Sequence, residues 1–227
     1  EFGTFRVPNI TPHPEAGIGD WSDVDLANAM LHGVSPEGRH YYPAFPYASY
    51  TRMEPGDIVD LRAYLDEFEP RSDRNAAHEL AFPFNLRRAI GFWKLLYLRQ
   101  RPVISAEELG EHARRGRYLV EAVGHCGECH TPRGLLGGLD QERWLSGAAN
   151  PDGEGRVPNI TPHPDGLAEW SVKDIAYYLE SGFTPDFDTV GGSMVEVQEN
   201  FARLPREDLE AVAEYLKAVP ARASDAR

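Results

Sequence analysis

The chain has 227 residues, with 23 Lys and Arg against 36 Asp and Glu for a net charge of −13, and 41% of its residues are apolar. That apolar content can bury a core and excludes a disordered acidic tail. The acidity argues against a phosphate backbone as partner, and no apolar run reaches the roughly 20 residues needed to cross a bilayer.

From the first residues onward the chain repeats itself. Arg6-Val7-Pro8-Asn9-Ile10-Thr11-Pro12-His13-Pro14 recurs unchanged from Arg156 to Pro164, at an offset of 150. The match continues at 149 (Trp21 with Trp170, Gly33 with Gly182) and closes at 151 (Tyr64 and Leu65 with Tyr215 and Leu216). A match this long marks a duplicated domain.

Each copy reads as short helices joined by Pro- and Gly-rich loops, without the period-2 runs of strands. Ser22 with Asp25 predicts a helix start and Gly33 its end, and Ser171, Asp174 and Gly182 repeat the pattern. A closing helix follows in each copy, at Asp57–Asp66 with Ile58, Leu61 and Leu65, and at Pro205–Ala218 with Leu209, Val212, Ala213 and Leu216 on one face. Ser105 and Glu108 form a capping-box pattern for a further helix, through Leu109, Leu119 and Val120, that ends near Gly124 and leads into Cys126.

Residues 1–69 carry 4 basic and 12 acidic groups, residues 70–104 carry 7 and 2, and residues 105–227 carry 12 and 22. The expected organisation is therefore a first repeat over 1–69, a basic aromatic connector over 70–104 and a second domain over 105–227. The stretch from Phe82 to Tyr97 is both aromatic and cationic. It suits either a helix lying on an anionic membrane surface or a clip packed between the domains. The clip is preferred, because its apolar residues do not sort onto one helical face.

Cys126 and Cys129 are the only cysteines, in the string Cys126-Gly127-Glu128-Cys129-His130. Two thiols three positions apart can add to the two vinyl groups of one haem, and the following His is placed under the iron. A structural zinc site needs a second ligand pair at finger or ribbon spacing. A thioredoxin-like pair belongs at a strand-to-helix turn, and a disulfide across so short a loop stabilises little. Haem attachment is the preferred reading. Met194, on the loop Gly191-Gly192-Ser193-Met194, is the candidate sixth ligand, its small neighbours allowing close approach to a flat macrocycle. Core filling is the plainer role for a Met.

With these residues in view, the sequence resembles the class I c-type cytochromes, and more closely the tandem cytochrome subunits of bacterial alcohol, gluconate and aldehyde dehydrogenases. The resemblance rests on the Cys-x-x-Cys-His string, the Val-Pro-Asn-Ile-Thr-Pro loop, the Gly-Gly-Ser-Met loop and the Tyr-Leu-Lys ending. It implies an all-α fold of tandem class I cytochrome c domains joined by an ordered connector. Cys126 and Cys129 would be the thioether attachments, His130 and Met194 the axial ligands, and the Pro158 carbonyl an acceptor for the His130 ring. Asn159 and Trp170 would belong to the haem surroundings. The function implied is electron transfer in the periplasm, with a dehydrogenase as donor and another cytochrome, a quinone or a terminal oxidase as acceptor. Association with a membrane surface fits this reading, and nucleic acid is no partner. An electron carrier is preferred to an enzyme. A haem enzyme with an open sixth position and a structural metal module are the other two classes considered.

The first repeat departs from this pattern. The offset of 150 would put its attachment motif upstream of Glu1, so one haem c is expected in this chain and a second if a leading segment exists. The position facing Met194 is Phe45, and Met53 faces Leu204. Met53 is thus either an axial ligand of the first-repeat haem or core. Met30 reads as core, and His13, His125 and His163 as surface residues.

Overall fold

A computed structural model describes residues 3–150, 153 and 155–224, and the chain divides into two compact units, Glu1–Gln100 and Arg101–Arg227. Both are helical. Strand is confined, among the described residues, to four two-residue pieces.

In the first unit, β1 (Gly3–Thr4) pairs antiparallel with β2 (Glu79–Leu80), so segment 70–80 lies back along the chain start. Helix α1 (Asp23–His32) begins in a full capping box of Ser22 and Asp25. It ends at Gly33, whose φ of 59° is the left-handed conformation that favours Gly. Helices α2 (Tyr47–Tyr50), α3 (Pro55–Asp66) and α4 (Ala89–Tyr97) follow. Met30 and Met53 are both buried.

Helix α4 carries apolar residues on both sides, Ile90 and Trp93 inward and Phe92, Leu95 and Leu96 outward, as its unsorted pattern predicts, but it also buries its lysine. Ile90 and Lys94 are buried, while Phe92, Leu95 and Leu96 are exposed. The Lys94 ammonium donates to the carbonyls of His32 and Gly33, both at 2.6 Å, and stands 3.0 Å from His40 Nδ1 and 4.8 Å from the centre of the Tyr47 ring. A cation on the carbonyls at the end of α1 is favoured by the helix dipole, and this offsets part of the cost of its burial.

In the second unit, α5 (Glu111–Tyr118) leads through a π-helical turn (Leu119–Val123) to α6 (Gly127–His130), and α7 (Val172–Ser181), α8 (Met194–Phe201) and α9 (Arg206–Ala218) complete it. The capping pattern at Ser105 produces only a single 3-10 turn, Ala106–Glu108, with Ser105 Oγ accepting from Glu107 N. Leu109 then turns extended and Gly110 restarts the helix, so local backbone geometry overrides the expected run from 105. Helix α7 repeats the first unit's capping box, with Ser171, Asp174 and a left-handed Gly182.

Helices α5 and α9 cross at Gly116. A Cβ there would sit 1.8 Å from the Ala211 carbonyl oxygen, so only Gly lets the backbones approach this closely. The Arg115 guanidinium grips Asp208 through two bonds of 2.8 and 2.9 Å, which holds the Asp208 carboxyl below its usual range. The core gathers Leu109, Leu119, Val120, Trp144, Leu145, Ile175, Leu179, Leu209, Val212, Tyr215 and Leu216.

The duplication reaches individual hydrogen bonds. Asn9 Oδ1 accepts from Thr11 N and Oγ1, Asn9 Nδ2 donates to the Arg71 carbonyl at 2.6 Å, and Arg71 N donates to Thr11 Oγ1. The same lattice ties Asn159, Thr161 and Arg222, with Asn159 Nδ2 donating to the Arg222 carbonyl at 2.7 Å. Arg71 and Arg222 stand 151 apart, so the repeat extends past the Tyr-Leu pair where the sequence comparison stopped.

Candidate haem site

The π-helical turn delivers the chain to Cys126, whose N–H donates to the Val120 carbonyl at 3.1 Å. The short α6 helix then carries Gly127, Glu128, Cys129 and His130. Cys126 is half-buried and Cys129 exposed, and both are free of any disulfide. Burial pushes the Cys126 thiol up to about 12. Among the described residues no group of three or more His, Cys, Asp and Glu side chains could hold a metal ion, which leaves a structural zinc site short of ligands.

Gly127 lies flat against Trp144. A Cβ there would come within 2.2 Å of the indole ring. Trp144 Nε1 donates to Tyr215 Oη at 3.1 Å, and Tyr215 donates in turn to Glu121 Oε1 at 2.7 Å. The Glu121 carboxylate also accepts from Val103 N at 2.7 Å and Ile104 N at 3.1 Å. A fully buried carboxylate is tolerable only with such a complement of donors. Burial, with Glu121 beside it, pushes the Tyr215 phenol well above its usual range and keeps it a donor.

His130 is buried, and its Nδ1 stands 2.8 Å from the Pro158 carbonyl oxygen. A carbonyl only accepts, so Nδ1 carries the proton and Nε2 keeps the lone pair. Burial pushes the imidazole below its usual range, against the opposing pull of that carbonyl. The loop that supplies Pro158 is fixed next door by Asn159, buried, with its amide nitrogen on Arg222 and its oxygen on Thr161. Gly147 N–H donates to the His130 carbonyl at 2.8 Å, and Leu145 N–H to Thr131 Oγ1 at 3.0 Å, which seats α6 from its other end.

Met194 opens α8, half-buried against the second unit's core, and added Cβ atoms at Gly191 or Gly192 would meet open space. Trp170 packs edge-on against Tyr178, ring centres 5.6 Å apart. In the first unit, Phe45 contacts the rings of Tyr41, Tyr47 and Tyr50. Met53 is buried in the turn after α2, its N–H on the Tyr50 carbonyl at 2.8 Å. An open cleft on the second unit is lined by Asp174, Tyr177, Phe183, Thr184, Pro185 and Phe187, and none of the four candidate haem residues lines it.

The donor set suits a haem: two thiols at one short helix, an imidazole with a single free lone pair, and a thioether not on the expected loop but on the first residue of a separate helix, α8. Sequence reasoning missed Gly116, Glu121, Trp144 and Tyr215. Glu121 had a readable signal, a lone acid inside the apolar run Leu119 to Val123.

Comparison with known proteins agrees with this chemistry. The cytochrome c family model matches residues 113–220. A diheme cytochrome c-type protein of Cereibacter sphaeroides is 53% identical over 97% of this chain and 73% of its own length. The fructose dehydrogenase cytochrome subunit of Gluconobacter japonicus is 36% identical over 97% of this chain and 46% of its own length. The gluconate 2-dehydrogenase cytochrome c subunit of Pantoea cypripedii is 33% identical over 97% of this chain and 52% of its own length. The chain thus spans about three quarters of the first protein and about half of the other two. On this similarity and the site it accompanies, the chain belongs to the cytochrome c family.

Proposed function

We propose that the chain is a periplasmic electron carrier that takes electrons from a partner dehydrogenase and passes them toward a cytochrome, quinone or terminal oxidase. Cys126 and Cys129 would hold haem c through thioether bonds, and His130 and Met194 would supply its iron with protein ligands. The dehydrogenase partner follows from the relatives named as dehydrogenase subunits. The observation that carries the reading is the 2.8 Å bond from His130 Nδ1 to the Pro158 carbonyl.

When bound, the haem supplies a one-electron couple. The protein's residues supply the setting. The Pro158 carbonyl fixes the His130 tautomer and ring plane, which directs Nε2 away from the loop and raises its basicity. Trp144 against Gly127 fixes α6, and with it the spacing of the two thiols. A thioether from Met194 would keep small ligands off the iron and favour its reduced state. No bond to substrate is made, so the work lies in positioning and in the potential.

The first unit belongs to the same plan as a second cytochrome c-like repeat. The test is a pyridine haemochrome assay with peptide mass mapping, followed by anaerobic mixing with a reduced dehydrogenase. One c-type haem on the peptide holding Cys126 and Cys129, reduced by the donor, is the expected result. A chain matured outside the cytoplasm that lacks c-type absorption would sink the proposal.

A further inference from the structure

One buried acid of the second unit has no part in holding haem, yet it is tied to the attachment segment from two sides. Glu121 lies in the π-helical turn Leu119–Val123 and is 1% exposed, with Leu119, Val120 and Ala122 buried around it. A hydrophobe would fill such a position at lower cost, because a carboxylate loses its hydration there. Turns of this π type concentrate at functional sites.

Two routes join Glu121 to the Cys126-to-His130 segment. Along the chain, the Val120 carbonyl accepts from Cys126 N–H at 3.1 Å. Across the core, Glu121 Oε1 accepts from Tyr215 Oη at 2.7 Å, and Tyr215 Oη accepts from Trp144 Nε1 at 3.1 Å. The Trp144 indole in turn lies against Gly127, where an added Cβ would come within 2.2 Å of it. Cys126 and Gly127 are consecutive, so the two routes close a ring that contains both the acid and the first attachment thiol.

The acid is ionised in this setting. Oε2 accepts from Val103 N at 2.7 Å, and Oε1 accepts from Ile104 N at 3.1 Å as well as from Tyr215. All three of these partners donate, so a carboxylic O–H would face a donor on either oxygen. Burial keeps the proton of Tyr215 on its phenol, while Arg117, bonded to the Ile104 carbonyl at 3.0 Å, acts on Tyr215 in the opposite sense and balances part of the acid's charge.

We infer, on the electron-carrier reading, that Glu121 is a potential-setting residue: its buried negative charge favours the oxidised haem iron and lowers the midpoint potential of the second unit. The electron taken from the donor cancels one positive charge at the iron, so a fixed negative charge in the same core stabilises the oxidised state more than the reduced one. The protein interior transmits that interaction better than water, and salt screens it little. Tyr215 and Trp144 are positioning residues in this scheme, and no proton is transferred. Glu121 thereby opposes the thioether of Met194, and the potential is set between the two.

The test is a spectroelectrochemical titration of the haem-loaded 227-residue chain and three variants. Glu121→Gln, neutral and close in shape, should raise the midpoint potential, so that the ferrous-to-ferric ratio at a fixed applied potential grows about threefold or more. That rise should persist at high salt. Glu121→Asp and Tyr215→Phe keep the charge and should stay within about twofold of the parent ratio, although both lose unfolding stability. An unmoved potential in Glu121→Gln overturns the proposal, and so does an equal rise in Tyr215→Phe, which would reduce Glu121 to a packing role. Should Glu121→Gln fail to take up haem, reduced-minus-oxidised infrared spectra of the parent with isotope-labelled glutamate carboxyls decide the matter. A glutamate carboxylate band displaced by reduction and missing from Glu121→Asp supports the proposal, and its absence from the parent overturns it. Normal c-type spectra with an unmoved potential sink only the role of Glu121, whereas a parent chain without c-type absorption sinks the electron-carrier reading with it.

Discussion

The carbonyl of Pro158 accepts from His130 Nδ1 at 2.8 Å, across 28 residues of chain, and the neighbouring Asn159 is what keeps that carbonyl in place. Asn159→Ala strips the loop of its bonds to Thr161 and Arg222. It should cost about 1–3 kcal/mol in denaturant unfolding. A weaker bond to Nδ1 also makes the imidazole a poorer electron donor, so the oxidised state loses support and the midpoint potential should rise in a reductive titration. Lost stability with an unmoved potential would assign Asn159 to the fold alone.

Met194→Leu nearly conserves volume, and Met194 is only half-buried, so unfolding stability should fall by less than about 1.5 kcal/mol. The reduced variant should then bind carbon monoxide faster than the parent chain. Fast carbon monoxide binding by the parent chain would instead mean that the sixth position is already open.

Gly116 sits where α5 meets α9, with a would-be Cβ 1.8 Å from a backbone oxygen that cannot turn aside. Gly116→Ala should cost about 3 kcal/mol or more as the helices are forced apart. Calorimetry should show a lower melting temperature for the second unit and an unchanged transition for the first.

Lys94 makes the first unit's stability depend on alkaline pH. Burial lowers its ammonium to about 8 in the folded chain, from 10.5 in the free side chain. Between those values the unfolded state holds the proton and the folded state does not, so stability rises with pH across that window. His40, lowered by burial and by Lys94, acts in the same sense at acid pH: its contribution is present above 6.5 and lost as pH falls below it. Lys94→Met should remove the alkaline slope in unfolding curves recorded from pH 7 to 11. It should also cost about 1–3 kcal/mol at neutral pH, by removing the Lys94 donor from the His32 carbonyl and leaving Gly33 O with the Tyr41 N–H alone.

Motifs whose partners lie close in sequence were legible without coordinates. Ser22 and Ser171 cap their helices, Gly33 and Gly182 end them, and both follow from local backbone chemistry. The capping pattern at Ser105 misled because Leu109 and Gly110, just downstream, redirect the chain before a helix can form. Contacts made at long range left weaker traces. Trp144 meets Tyr215 across 71 residues, and Lys94 meets Gly33 across 61. Helix α4 was legible in part: its apolar residues fall on both sides, as the pattern implied, whereas the burial of Lys94 left no local signal, and only the carbonyls at the end of α1 explain it.

The tie from Glu121 to the N–H groups of Val103 and Ile104 also fixes where an independently expressed second unit has to begin. A fragment starting at Ser105, the boundary drawn from charge and capping signals, would discard both amides from a buried carboxylate. A fragment starting at Arg101, or earlier, retains the pair and should fold and accept haem where the shorter one aggregates.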